Sequence, residues 1–160
     1  MIPMLTLSAG AVLCGGALVL AFFRKMPSAA VAYISMIVSA MSGLVFFTSS
    51  QYWFWGVATV IALMITYGVP RESSKARRLY TVGGALAGAV IGLAAGTQAA
   101  VIIGGAVGSF LGYEAYGMTP AGRREVRPRG SVDEFAALAL PAVVNFSMVM
   151  LIFAQLVQVQ

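Results

Sequence analysis

Histidine is absent from this sequence, cysteine occurs once, and Asp and Glu together number five in 160 residues. Without histidine the chain lacks both the commonest transition-metal ligand and the commonest general base. Cys14 has no second cysteine to pair with inside the chain, so it gives no guide to redox compartment. Charged residues make up 9 % of the sequence, against about 25 % in a soluble domain. That shortage leaves too little polar surface to cover a core in water. The opening "MIPMLTLSAG" also lacks the basic lead-in of a signal peptide, so the first apolar stretch is expected to be retained as a span.

Apolar residues are abundant: 60 % of the chain is hydrophobic and the mean hydropathy is +0.91. Six windows approach the roughly 20 apolar residues that a bilayer-crossing helix needs. They cover residues 3–23, 27–48, 52–69, 80–96, 99–117 and 135–157. All ten basic residues fall in three of the connections: Arg24 and Lys25; Arg71, Lys75, Arg77 and Arg78; and Arg123, Arg124, Arg127 and Arg129. The connections after the second and fourth windows hold none. Short cytoplasmic loops accumulate Lys and Arg, so the pattern predicts one all-α transmembrane domain, residues 1–160, with six spans and both termini outside. The net charge of +5 is read as a topology signal and not as a nucleic-acid footprint, because it is split among loops. "QYWFW", Gln51 to Trp55, marks the outer interface with Phe46 and Phe47, while Tyr80, Tyr113 and Tyr116 mark the inner one.

Within this pattern the stretch "GGALAGAVIGLAAGTQAAVIIGGAVGSFLG" is unusual. Gly84, Gly88, Gly92 and Gly96 recur every four residues, as do Gly104, Gly108 and Gly112. Residues four apart share a helix face. Apolar helices in lipid gain no hydrophobic force from meeting, so close backbone contact has to hold them together. The fourth and fifth spans are therefore expected to form a glycine-zipper hairpin, either closed on itself or set against a second copy. A buried hairpin that does not fully cross would fit the same charges.

Polar residues inside spans are site candidates by default, since holding them there costs free energy. Glu114 lies near the inner end of the fifth span and is expected to pair with Arg123, Arg124 or Arg78, or else to couple transport to a proton or cation. Asn145 follows Pro141 by about one turn and is expected to bond across to another helix or to help form a substrate site. Ser28, Ser35, Ser39 and Ser42 share a face of the second span, which suits close packing or a polar pathway. Thr59 and Thr66 are placed to face it. "SVDE" reads as a capping box around Ser131, with Asp133 and Glu134 at the positive end of the last helix. No nucleotide-binding loop, metal set or pair of facing acids is found, so neither catalysis nor a cofactor or metal is expected.

The order "KMPSAAVAYIS", "SSKARRLYTVGGALAGAVIGL", "VIIGGAVGSFLGYE" and a closing "NFSMVMLIF" resembles a family of small bacterial inner-membrane proteins catalogued as domain of unknown function 456. The likeness lies in a proline after the first span, a basic lead into the glycine hairpin, and "GSFLGYE" at its end. The chain differs in having "RKMPSAA" at the first loop and a tyrosine between Gly112 and the acid. The resemblance implies a multi-pass inner-membrane location and leaves activity open. From the residues, two functions are expected. One is a channel- or transporter-like protein for an ion or small solute, using Glu114, Asn145 and the serines Ser35, Ser39 and Ser42. The alternative is a non-catalytic subunit whose glycine grooves take up another protein's helices. The expected partners are the lipid bilayer and a second copy or another membrane protein.

Overall fold

The computed structural model describes residues 2–23, 26–68, 74–125 and 131–158. Seven helices and no strand occur among them: α1 (Ile2–Leu20), α2 (Ser28–Ala40), α3 (Ser49–Gly68), α4 (Lys75–Ala94), α5 (Gln98–Met118), α6 (Pro120–Arg124) and α7 (Ser131–Gln158). Two of these, Gln98–Met118 and Val132–Val157, are long and apolar enough to cross a membrane. Arg24, Lys25, Arg71, Arg127 and Arg129, and the side chain of Ser131, lie outside the described residues.

α7 is the hub. It meets α1, α2, α3, α4 and α5, and 78 % of its apolar stretch is buried. A helix apolar on every side suits that central place. One core cluster gathers Met36, Trp55 and Ala62 around Met148 and Ile152; the other gathers Val82, Ala85 and Ala89 around Phe146 and Met150. Pro141 stands within α7, where it withholds one backbone N–H from the helical ladder.

Local signals account for the ends of the α4–α5 hairpin. Ser74 caps α4 by accepting the Arg77 N–H at 3.2 Å, and Thr97 caps α5 by accepting the Ala100 N–H at 3.1 Å. Between them Gly96 has φ +78°, a left-handed conformation that suits glycine just past a helix end. Its N–H bonds to the Leu93 carbonyl at 2.9 Å. α4 starts at Lys75, earlier than the window at residue 80, because the Ser74 cap draws the basic segment into the helix.

α2 departs from expectation. The window 27–48 predicts a full span, yet the helix stops at Ala40 after 13 residues, about 20 Å at 1.5 Å per residue. Ser42 turns the chain: its hydroxyl donates to the Ser39 carbonyl at 2.6 Å and accepts the Leu44 N–H at 3.2 Å, while Gly43 takes φ +71°. The following segment is tied to the end of α7, where Gln155 Oε1 accepts the Phe46 N–H at 2.8 Å.

Candidate functional site

The glycines bring α4 and α5 together in antiparallel register. A Cβ at Gly84 would overlap the carbonyl of Gly108, one at Gly88 that of Gly104, and one at Gly92 that of Ala100. From the other side, Gly104 faces Gly88, Gly108 faces Gly84, and Gly112 faces the Tyr80 carbonyl. Each groove is thus filled by the other. Gly96 is the exception among the seven: nothing lies within 4 Å of its Cβ position, and its role is the turn. The i, i+4 spacing carried it into the set because the helix ends two residues earlier.

At the end where α4 begins, three cations enter the first turn of a helix, the wrong end of its dipole. Arg77 resolves part of this conflict by being buried among acids. Its side chain is 4 % exposed, with Nη2 3.0 Å from Glu125 Oε2 and Nη1 3.0 Å from Glu134 Oε2. The guanidinium also lies 5.3 Å from the ring centre of Tyr113 and 5.5 Å from that of Tyr116, within cation–π range. Both phenols complete the lattice: Tyr113 donates to Glu134 at 3.2 Å and Tyr116 donates to Glu125 at 2.7 Å. Ser74, the α4 cap, donates to the Tyr116 oxygen at 3.3 Å. The cluster therefore ties α4, α5 and α7 to Glu125, the C-cap residue of α6. Beside it Arg78 Nε donates to the Phe22 carbonyl at 3.1 Å, adding the end of α1.

Burial lowers the basicity of Arg77, but Glu134, Tyr113 and Glu125 outweigh it and raise the pKa above its ordinary value. Glu125 is shifted down, chiefly by the Tyr116 hydrogen bond, with Ser74 and Arg77 adding to this against partial burial. Both shifts favour the charged forms of Arg77 and Glu125.

Glu114, the acid singled out from the sequence, is half-buried on α5. The carboxylates on the buried guanidinium are Glu125 and Glu134. Sequence reasoning gave Glu134 a capping and dipole role and left Glu125 aside. Ser131, read as the cap, is already the first residue of α7.

Asn145 is fully buried, and its Nδ2 donates to the Ala17 carbonyl of α1 at 2.8 Å, while its Oδ1 has no partner. Ser35 donates to the Gly10 carbonyl at 2.9 Å and its oxygen lies 2.9 Å from Cys14 Sγ. A Cβ at Gly10 would overlap Ser39 Oγ. Ser28, Ser35, Ser39 and Ser42 are all buried, and Ser35 and Ser39 line a close α1–α2 contact. The Thr59 hydroxyl meets Met148 Sδ of α7 at 3.9 Å, and Thr66 bonds back to the Ala62 carbonyl at 2.7 Å. A threonine hydroxyl in a helix can bond its own i−4 carbonyl, and the seven-residue spacing does not say which neighbour the face meets.

The opposite end of the bundle differs in kind. A cleft of about 450 Å³ opens between the α4–α5 turn and the last turns of α7. Gln51, Thr97, Gln98, Ser147 and Gln155 line it, with no Lys, Arg, Asp or Glu among the lining residues. Ser147 is 2 % exposed and its hydroxyl has no hydrogen-bond partner. The sequence passed over Ser147 because one serine in an apolar helix carries no periodic signal. Among the described residues no three His, Cys, Asp or Glu side chains gather as metal ligands would. No protein-family model, curated protein or solved structure matches the chain.

Proposed function

We propose that this chain is a multi-pass inner-membrane protein of six spans, with both termini outside, that passes a small solute across the bilayer in the manner of a channel or transporter. The kinship with domain of unknown function 456 belongs to the same proposal, as an account of architecture and location. The outer surface favours lipid: Val12, Met64, Ile91 and Leu111 are each more than 60 % exposed, and water penalises such a spread of apolar side chains. In the proposed frame the Arg77 end faces the cytoplasm, where basic residues accumulate.

The observation that carries the transport reading is the asymmetry along the bundle. One end is closed by the Arg77 lattice, and the other is a cleft lined by Gln51, Gln98, Ser147 and Gln155 with no charged side chain among its lining residues. That is the layout expected of a solute path caught open on one side. Pro141 gives α7 a place to bend between the two ends. The rival, a subunit offering glycine grooves to other helices, needs a different face, because α4 and α5 fill each other's grooves. Asn145 and the α2 serines serve the frame in this account, with Ser147 taking their place on the path.

Osmotic swelling of proteoliposomes tests it, with glycerol, urea, potassium chloride and sodium butyrate as the osmolytes. At least one is expected to enter several-fold faster than into protein-free vesicles, and Arg77→Gln, which loosens the sealed end, is expected to raise that rate further. Equal rates with and without protein for all four would sink the transport reading.

A further inference from the structure

Two carboxylates share the Arg77 guanidinium, and they are held in different ways. Glu134 sits in the first turn of α7, where the helix dipole favours an anion, and its side chain is 11 % exposed. Moving it would move the hub helix. Glu125 ends α6, a helix of five residues, and its side chain is 32 % exposed. A helix that short has no stability of its own. Pro120, Ala121, Arg123 and Arg124 are exposed, and the buried residue of α6 is Gly122. No buried apolar side chain therefore fastens α6 to the bundle. At its near end the Thr119 hydroxyl donates to the Tyr116 carbonyl at 2.7 Å, and Gly122 lies against the same carbonyl with no room for a Cβ. At its far end Glu125 holds it through Arg77 and the Tyr116 hydroxyl.

We infer that α6 is a strap across the Arg77 end, which opens when Glu125 leaves Arg77 and Tyr116 while Glu134 stays. Charge makes this contact the weak point of the lattice. One guanidinium and two carboxylates sum to a single negative charge, so departure of Glu125 leaves a neutral Arg77–Glu134 pair. No buried charge is stranded, which is the costly way to break such a cluster. The ion pair that must break is partly exposed, and pairs in contact with water hold weakly. Once it breaks, the chain pivots at Thr119, the extended residue that joins α5 to α6. Water then reaches the side of Arg77 and Tyr116 that Glu125 covers. The strap depends on the transport reading for its purpose, opening the closed end of the path, but on the lattice alone for its motion.

Pulsed dipolar EPR between two nitroxides tests this on the full chain in lipid nanodiscs. The labels go on Ala121→Cys of α6 and Val90→Cys of α4 in a Cys14→Ser background, both positions being exposed. The intact lattice is expected to give one narrow distance. Glu125→Ala is expected to add a second component longer by about 10 Å, the width of a helix. Glu134→Ala should leave the narrow distance dominant, because Glu125 still pairs Arg77. Sodium chloride at about 1 M, where the Debye length is near 3 Å, should add the same longer component to the intact lattice. A distribution unmoved by Glu125→Ala, or one broadened as much by Glu134→Ala, overturns the strap. If either variant fails to fold the salt response decides, and its absence overturns the strap too. A longer distance with no entry of any osmolyte leaves the strap standing and removes transport. Entry that Glu125→Ala speeds with no change in distance does the reverse.

Discussion

Gly88 and Gly15 are both helical glycines in apolar sequence, yet their surroundings differ completely. A Cβ at Gly88 has the Gly104 carbonyl in its way, whereas nothing lies within 4 Å of the Gly15 position. Gly88→Ala must push two helix backbones apart and is expected to cost about 1–3 kcal/mol, the usual range for overpacking. Gly15→Ala should gain about 0.5 kcal/mol through reduced chain entropy and better helix propensity. Thermal unfolding of the purified protein in detergent compares the two directly. The glycine contacts were legible because a four-residue spacing on a helix states a face. Arg77 was not legible: it is one of ten basic residues, and its burial depends on Glu134, 57 positions away. Glu125 supplies a pH prediction at the same scale. Its carboxyl ionises more readily folded than unfolded. Its stabilising contribution is therefore complete above the ordinary value of 4.5 and fades as pH falls through the lower folded value. Wild type should unfold at higher temperature than Glu125→Gln at pH 7, and the gap should close towards pH 3.

At the scale of elements, the windows located the helices well where apolar length was the only determinant. α1, α3, α5 and α7 lie close to the stretches read from the sequence. α2 fell short because two small residues, Ser42 and Gly43, turn the chain by local hydrogen bonding and a positive φ, which average hydropathy does not register. The same physics governs the α4–α5 turn. Gly96 was counted as part of the groove, but its φ of +78° makes it the hinge of the hairpin. Gly96→Ala places a side chain in the left-handed region, at about 1–2 kcal/mol, while leaving the interhelical contact untouched. It should therefore lower the unfolding temperature without changing the Gly88-to-Gly104 spacing, which a crosslink between cysteines introduced on the outer faces at Val90 and Ile103 can report. Pro141 was legible as a feature of the last helix and its neighbour Asn145 as a cross-helix donor. The partner, the Ala17 carbonyl of α1, was not, because backbone acceptors leave no trace in sequence.

For the molecule as a whole, the described basic residues Lys75, Arg77, Arg78, Arg123 and Arg124 come from α4 and α6, the elements that meet at the lattice end. The Gln51, Gln98 and Gln155 cleft occupies the other end. The sequence made that division readable through charge, since each connection rich in Lys and Arg follows an odd-numbered window. It did not reveal the cleft, which needs three glutamines and a serine from α3, α5 and α7 brought to one place by packing. The central claim is that these two ends sit on opposite sides of a membrane. Single cysteines in a Cys14→Ser background, at Gln98 and Lys75, can be labelled in intact cells with a membrane-impermeant thiol reagent. The account predicts that Gln98→Cys labels from outside while Lys75→Cys labels only after the membrane is opened; labelling of both from the same side, or of Lys75→Cys alone in intact cells, would contradict it.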